Sequence, residues 1–483
     1  MSARRQRFAV ADAALVVALS RWLARARLPD DWDSVGFVRA VQRYDLAAFQ
    51  PHFPGYPVYV ALVRALHAAL WPLGLSPLDA ATAVSALASA ATAVALHRIA
   101  SSLGGARAGF VAMALWAAAW LPLMLGGSAL SDATATAFAA AAFAALTVDD
   151  SRATLLGAAA VALCLGTRVS YWPLALSFAV VVARSRPHHR RAALVGGVVA
   201  TAAWLLPFVA VVGARPLWAL GTTHVIGHFS DWGGSVATRP DLVARIAAFA
   251  RDLVFDGLFP HGVALVAAAL AIASSLRREL RPPPSAPSAH RRAVAAIVLA
   301  PYAVWALLAQ NVLEQPRHLL PLVAALVVGL AVITTRRLAA GTRRAVAAGA
   351  AVAVVALVAA AALAAVPLAV ARVRVAPAAV QLARHVLAAH PAAHDAVIVG
   401  NRSVRLIHDA APSLTTVERQ TLDEVRGALE RLDVLPPDLY VTSELTGAPD
   451  EAAHVTPGPE FCRDPRIDRQ HPCLRLLRYN LQP

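Results

Sequence analysis

The sequence contains no lysine, so all 44 of its basic residues are arginines. Charge of either sign is scarce: 15% of residues are charged, 58% are hydrophobic, and the mean hydropathy is +0.58. A soluble domain carries about 25% charged and about 45–50% apolar residues, so this shortage excludes an ordinary soluble globule and places the chain in the membrane class. Acid is missing from the middle of every apolar run after the first. Ion-coupled transporters keep ionisable groups at bilayer depth, and this absence argues against that class. No Gly-rich phosphate loop and no metal-ligand spacing occurs in the polar tail. Cysteine is limited to three residues. Cys164 lies in an apolar run and reads as a buried small hydrophobe. Cys462 and Cys473 are eleven apart in the tail and could close a small loop in an oxidising compartment, or stay as thiols.

What is present is arginine in a particular arrangement. The net charge of +15 is not gathered into one patch, which excludes a nucleic-acid partner. The arginines sit between apolar runs near 8–26, 79–100, 108–126, 129–147, 153–167, 171–184, 192–213, 258–276, 293–310, 318–335 and 345–370. A crossing helix needs about 20 mostly apolar residues, so the runs predict about eleven spans. The fifth and sixth are short and share the break at Thr167-Arg168. Arg4, Arg5 and Arg7 put the N-terminus in the cytoplasm. Strict alternation from there makes every interior loop basic: Arg98 and Arg107, then Arg152, then Arg184 to Arg191, then Arg277 to Arg292, then Arg336 to Arg344. The first run carries Asp12 and Arg21 and is read as an uncleaved anchor, although Ala24-Arg25-Ala26 has the form of a signal-peptidase site.

This map defines a transmembrane portion, 1–370, with external loops 27–78 and 214–257, and an external domain, 371–483. Residues 56–73 are interrupted by Arg64 and His67 and read as an interfacial helix. Residues 242–253 read as a second one, with Leu242, Ile246, Phe249 and Leu253 on the apolar face and Arg245 off it. In the tail, helical periodicity over 378–389 and 421–432 alternates with extended runs at 396–399, 439–441 and 473–477, which predicts a small α/β domain.

Acids cluster where the spans meet the outside: Asp30, Asp31 and Asp33 after the first run, and Asp132 at the start of the fourth. The stretch Asp31-Trp32-Asp33-Ser34-Val35-Gly36-Phe37, followed by His52-Phe53-Pro54-Gly55-Tyr56-Pro57, resembles the first external loop of GT-C glycosyltransferases. The likeness is to the prokaryotic branch with Asp-Ser/Thr-Gly-Glu-Phe and His-Pro-Pro-Gly-Tyr-Pro, in the superfamily of protein O-mannosyltransferases and the lipid A aminoarabinose transferase. Here Phe53 replaces a proline and Val35-Gly36 replaces Gly-Glu, so one family acid is missing. Thinner echoes are Ser131-Asp132, Thr167-Arg168 and Arg317-His318-Leu319-Leu320-Pro321.

The resemblance implies an all-α polytopic membrane enzyme of the bacterial inner membrane, with its C-terminal domain periplasmic. It would move a sugar from a polyprenyl-phosphate donor to a glycan, lipid or protein. Such a reaction needs a carboxylate to deprotonate the acceptor hydroxyl and positive charge to hold the phosphate. By motif the base is Asp33; read alone, Asp33 could equally cap a helix starting at Ser34. Asp30 and Asp31 read as solvated loop residues. Asp132 matches the second external acid, which in some members helps bind a divalent metal ion or the acceptor; a plain N-cap is its other reading. The metal requirement stays open. Arg168 and Arg317 lie where a lipid phosphate would sit, or snorkel to headgroups. His52 and His318 are polar anchors at the same surface, and Trp232 could stack on a sugar or mark the interface. His224 and His228 have i,i+4 spacing, but Gly227 and Gly233-Gly234 argue for a loop there. The competing class is a non-enzymatic exporter or scaffold for envelope polysaccharide, which would have no need of Asp33 beside the His52–Pro57 turn. A ligase joining whole lipid-linked glycans would use the same donor lipid.

Overall fold

The structure is a computed structural model that describes residues 2–231, 233–258, 289–339, 344–390, 396–429, 438–445, 455–469 and 471–480. It divides into two compact units: Met1–Arg25 with Arg39–Ala369, and Ala26–Val38 with Val370–Pro483. The segment 27–78, expected as one external loop, is therefore split. Its opening stretch belongs with the tail and not with the transmembrane portion, because Val35 is packed among Leu382, Leu406 and Ile407. No local pattern announces a partner that far away in the chain.

The first unit is helical: α1 Ala3–Leu23, α2 Trp32–Gln42 (whose first turns belong to the second unit), α3 Pro57–Leu70, α4 Pro77–Gly104, α5 Ala106–Ala118, α6 Trp120–Gly126, α7 Asp132–Ala145, α8 Ser151–Thr167, α9 Trp172–Ala183, α10 Pro187–Val212, α11 Ala214–Ser230 and α12 Leu242–Arg251. Helices over Ala289–Ala309, Leu320–Ala339 and Arg344–Arg374 follow. Among the described residues four helices are long and apolar enough to cross a membrane, or five with the bent pair α5–α6. The expected span near 258–276 lies almost wholly outside the described residues. Helix α4 starts where the sequence says it should: Ser76 Oγ accepts from Asp79 N at 3.1 Å and Asp79 Oδ2 accepts from Ser76 N at 3.2 Å, a reciprocal capping box.

The run 108–126 holds two helices bent by 68° at Ala119, which make a single span only as a bent pair. The cause is visible in α1: Arg21, fully buried, donates from Nη2 to Trp116 O at 2.8 Å and from Nη1 to Ala117 O at 2.9 Å. Its guanidinium thus serves the carbonyls left without helical partners at the end of α5. That explains an arginine inside an apolar helix.

Residues 242–251 form a helix, with Arg245, off the apolar face, turned into the protein. Leu242 and Ile246 are about half exposed, while Arg245 is buried and donates to Leu307 O, Gly234 O and Gln310 O at 2.6–2.9 Å. A guanidinium capping the end of the Ala289–Ala309 helix outweighs apolar burial here, because the apolar face can meet lipid at no cost. His224 and His228 lie on α11, not in a loop. Within the segment 56–73, Pro57–Leu70 form α3.

The second unit carries a five-stranded sheet: β1 Ala396–Gly400, β2 Thr415–Glu418, β3 Asp438–Thr442, β4 Val455–Cys462 and β5 Cys473–Tyr479, in the order β2-β1-β3-β5-β4. The first three strands are parallel; β5 runs antiparallel to β3 and β4 antiparallel to β5. One face packs on helices Ala378–Ala389 and Ser403–Ala410 through Leu382, Ile398, Ile407 and Leu476. The other packs on helix Leu422–Leu429 through Val399, Leu422, Val425 and Val441. Two of these strands, β2 and β4, and the helix Ser403–Ala410 lie outside the runs read from the sequence. Cys462 and Cys473 are joined by a disulfide across β4 and β5, and Cys164 is buried and free.

Candidate active site

In the first unit the chain breaks at Arg168 between α8 and a 3-10 turn over Val169–Tyr171. The break turns the guanidinium inward, where it is 6% exposed. Arg168 Nη1 donates to Ser131 Oγ at 3.2 Å and to Asp132 Oδ2 at 3.3 Å, and Nη2 meets His318 Nδ1 at 3.2 Å. Asp132, in the first turn of α7, is wholly buried. Its N-cap reading is overturned: Ser131 occupies the cap position, and the Asp132 carboxylate faces Arg168. His318 sits on the 3-10 turn Pro316–Leu319, and its carbonyl accepts from Tyr302 Oη at 2.8 Å. Tyr302 packs edge-on against Tyr171 at 5.3 Å. Arg317 is buried on the same turn and lies within electrostatic range of Arg168.

Four residues the sequence singled out, Asp132, Arg168, Arg317 and His318, thus belong to one buried polar group. Tyr171, Tyr302 and Ser131 complete it and were not foreseen; an aromatic in an apolar run gives no sign of which way it faces. Arg168 Nε has no hydrogen-bond partner among the described residues, which leaves a donor for a further acceptor.

Arg168 is among the residues lining a groove of about 680 Å³ whose walls are mostly apolar, including Phe53, Pro57, Trp204, Phe208, Leu217 and Trp218. Trp218 and Ile226 on its rim are 76% and 64% exposed, so the groove is continuous with an apolar outer surface. One wall is the His52–Pro57 turn. Tyr44 Oη donates to Gly55 O at 2.6 Å, and Gly55 has φ +91°, a conformation open to glycine; a Cβ there would also meet Phe208 at 2.8 Å. His52 Nε2 bonds Tyr56 Oη at 2.8 Å and stacks on His224 at 6.2 Å, which stacks on His228 at 6.4 Å. Trp232 lies outside the described residues.

Asp33 is in the other unit. Helix α2 begins at Trp32 and not at Ser34, so Asp33 stands within its first turn and not at its N-cap; it is 4% exposed. Asp31 takes the capping role, accepting from Asp33 N at 2.8 Å. Asp30 is no solvated loop residue either: it pairs with the buried Arg372 at 2.6 Å. Near this pair, burial pushes the Asp468 carboxyl up to about 7 and holds the Arg463 guanidinium below its ordinary value.

Asp132 faces an arginine and not other acids, a donor set that does not suit a divalent cation. Among the described residues the trio near enough to share an ion is Glu460, Cys462 and Cys473, two of which form the disulfide.

The chain joins a helical unit to a small α/β unit, and it is in this arrangement that solved structures resemble it. No family model and no curated protein sequence matches the chain. The crystal structure of ArnT from Cupriavidus metallidurans bound to undecaprenyl phosphate is similar over 100% of this chain and 99% of its own, with a TM-score of 0.54 and 16% identity. The same protein in the apo state is similar over 96% and 97%, at 0.54 and 14%. The apo oligosaccharyltransferase of Archaeoglobus fulgidus is similar over 91% of this chain and 69% of its own, at 0.50 and 13%.

Proposed function

We propose that the chain is a GT-C-type glycosyltransferase that moves a hexose or pentose from a polyprenyl phosphate to a hydroxyl of an external glycan, lipid or protein. The observation that carries this reading is the apolar groove that Arg168 helps to line. A prenyl chain needs apolar walls and access from lipid; its phosphate needs a fixed cation at the end. In support, ArnT, which shares the fold, was crystallised with undecaprenyl phosphate. The reading places the chain in a bacterial inner membrane, N-terminus cytoplasmic and 371–483 periplasmic.

In the reaction the acceptor oxygen attacks the anomeric carbon from the face opposite the phosphate. The bond from that carbon to the phosphate oxygen breaks, and polyprenyl phosphate leaves with the electron pair. By the loop motif alone, the carboxylate of Asp33 is the group assigned to take the hydroxyl proton. Arg168, with Arg317 beside it, holds the phosphate, whose charge grows as the bond breaks. Asp132 works through Arg168, fixing the plane of its guanidinium, and no step is routed through a metal.

Asp33→Asn tests the base. Asparagine preserves size but takes no proton, and general-base catalysis contributes about 10²–10⁴-fold. Release of undecaprenyl phosphate from a panel of undecaprenyl-phosphate pentoses and hexoses in nanodiscs, with envelope glycan as acceptor, should fall by that factor while binding of undecaprenyl phosphate stays unchanged. Turnover retained in Asp33→Asn would remove Asp33 from the chemistry. Arg317→Ala should do the reverse, weakening donor binding first.

A further inference from the structure

The second unit holds a piece of chain from far outside its own stretch of sequence. Residues 26–38 arrive from between α1 and α3, yet they are fastened to the soluble domain at points on both sides of Asp33. Before it, Asp30 Oδ2 accepts two hydrogen bonds from Arg372, at 2.6 and 3.2 Å, with Arg372 fully buried. Arg372 is braced in turn, since Arg463 Nη2 donates to its carbonyl at 2.8 Å. Arg463 is fixed by its own backbone, N to Pro472 O at 2.7 Å, directly beside the Cys462–Cys473 disulfide. Next to Asp33, the ring of Trp32 carries the guanidiniums of Arg405 at 4.9 Å and Arg402 at 5.7 Å. Arg405 is anchored by Glu418 at 3.1 Å. After it, Val35 is 3% exposed in the core beneath helix Ser403–Ala410. Within Asp30–Val35 the two flanks of Asp33 are thus held by an ion pair, a cation–π contact and a core side chain, supplied by three separate parts of the domain.

We infer that the soluble domain is the mount of the proton acceptor, and that Trp32, clamped by Arg402 and Arg405, is a positioning residue for Asp33. This rests on the reading of Asp33 as the base. A general base must meet its proton within hydrogen-bond reach, and a shift of about 1 Å in a reacting group costs about 10²-fold. Two rigid flanks supply that precision where a free loop would not. The contacts to Trp32 are partly exposed, so they add little to stability while fixing the direction in which the first turn of α2 leaves the domain. A fastening meant only to cover the core would be complete with Val35.

The test pairs turnover with hydrogen exchange on the full chain in nanodiscs. Trp32→Ala should lower release of undecaprenyl phosphate by about 100-fold, with binding of undecaprenyl phosphate unchanged. Trp32→Phe keeps a ring face for the guanidiniums and should recover most of the rate. Exchange of amides 30–36 should rise in Trp32→Ala and return in Trp32→Phe, while those of β1 and β3 stay protected in both. Turnover of Trp32→Ala within about threefold of the parent, beside an inactive Asp33→Asn, overturns the positioning role and leaves the base standing. Full activity in Asp33→Asn overturns the base and this role with it. Rapid exchange of amides 30–36 in the unaltered protein overturns the mount itself, whatever the chemistry.

Discussion

The Arg168–Asp132 pair separates a structural ion pair from a phosphate ligand, and three variants decide between them. The two side chains are 6% and 0% exposed and 3.3 Å apart. Removing one member of a buried pair leaves the other charge uncompensated, at about 3–5 kcal/mol. Gln and Asn still hydrogen-bond, so Arg168→Gln or Asp132→Asn should each cost about 3 kcal/mol, a large part of a total stability of about 5–15 kcal/mol. In the double variant neither charge remains, and stability should return to within about 1 kcal/mol of the parent. Donor binding behaves otherwise. A charge-assisted hydrogen bond to phosphate contributes about 1.5–3 kcal/mol, so undecaprenyl phosphate should bind about 10- to 150-fold more weakly to Arg168→Gln and to the double variant alike. Chemical unfolding in detergent gives the first quantity and calorimetric titration with undecaprenyl phosphate the second. A double variant that binds undecaprenyl phosphate within about twofold of the parent refutes the phosphate role and leaves Arg168 a partner of Asp132 alone.

The remaining predictions are briefer. Because the folded Asp468 has a value of about 7 against an ordinary 3.8, the fold keeps a proton that the unfolded chain has lost between those values, and stability should fall as pH rises through that window, by at most about 4 kcal/mol. Melting of Asp468→Asn should therefore match the parent near pH 4 and exceed it at pH 8; equal shifts at both pH values would contradict the assignment. Arg245→Ala strips four buried hydrogen bonds from Leu307, Gly234 and Gln310 and should destabilise by about 3 kcal/mol, whereas Leu242→Ala, at a half-exposed position, should cost under about 1 kcal/mol. For topology, alkaline phosphatase fused after residue 375 should be active and a fluorescent protein fused after residue 340 bright; an inactive phosphatase with a dark fluorophore would invert the map.

The class of the molecule is legible in its composition, because a bilayer imposes one demand on every span, apolar side chains over about 20 residues, and that demand is local. Motif spacing likewise marked the His52–Pro57 turn, Asp132, Arg168 and Arg317-His318 before any coordinates. What each of these does was not legible. Asp132 reads as a cap until α7 and α8 come together and aim Arg168 at it. Arg21 and Arg245 read as blemishes in apolar helices until the carbonyl ends they serve are in place, some 60 to 96 residues away. Above all, the path of residues 26–38 was closed to sequence reading. A run of aspartates before a short helix looks like solvated loop, and only the tertiary fold brings Arg372, Arg402, Arg405 and the Leu382–Ile407 core to it. Local sequence marked the apolar runs and the capping box at which α4 begins. Long-range pairing of buried charge decided which way the arginines face and to which unit Asp33 belongs, since a guanidinium or carboxylate shut away from water must find its partner wherever the fold supplies one.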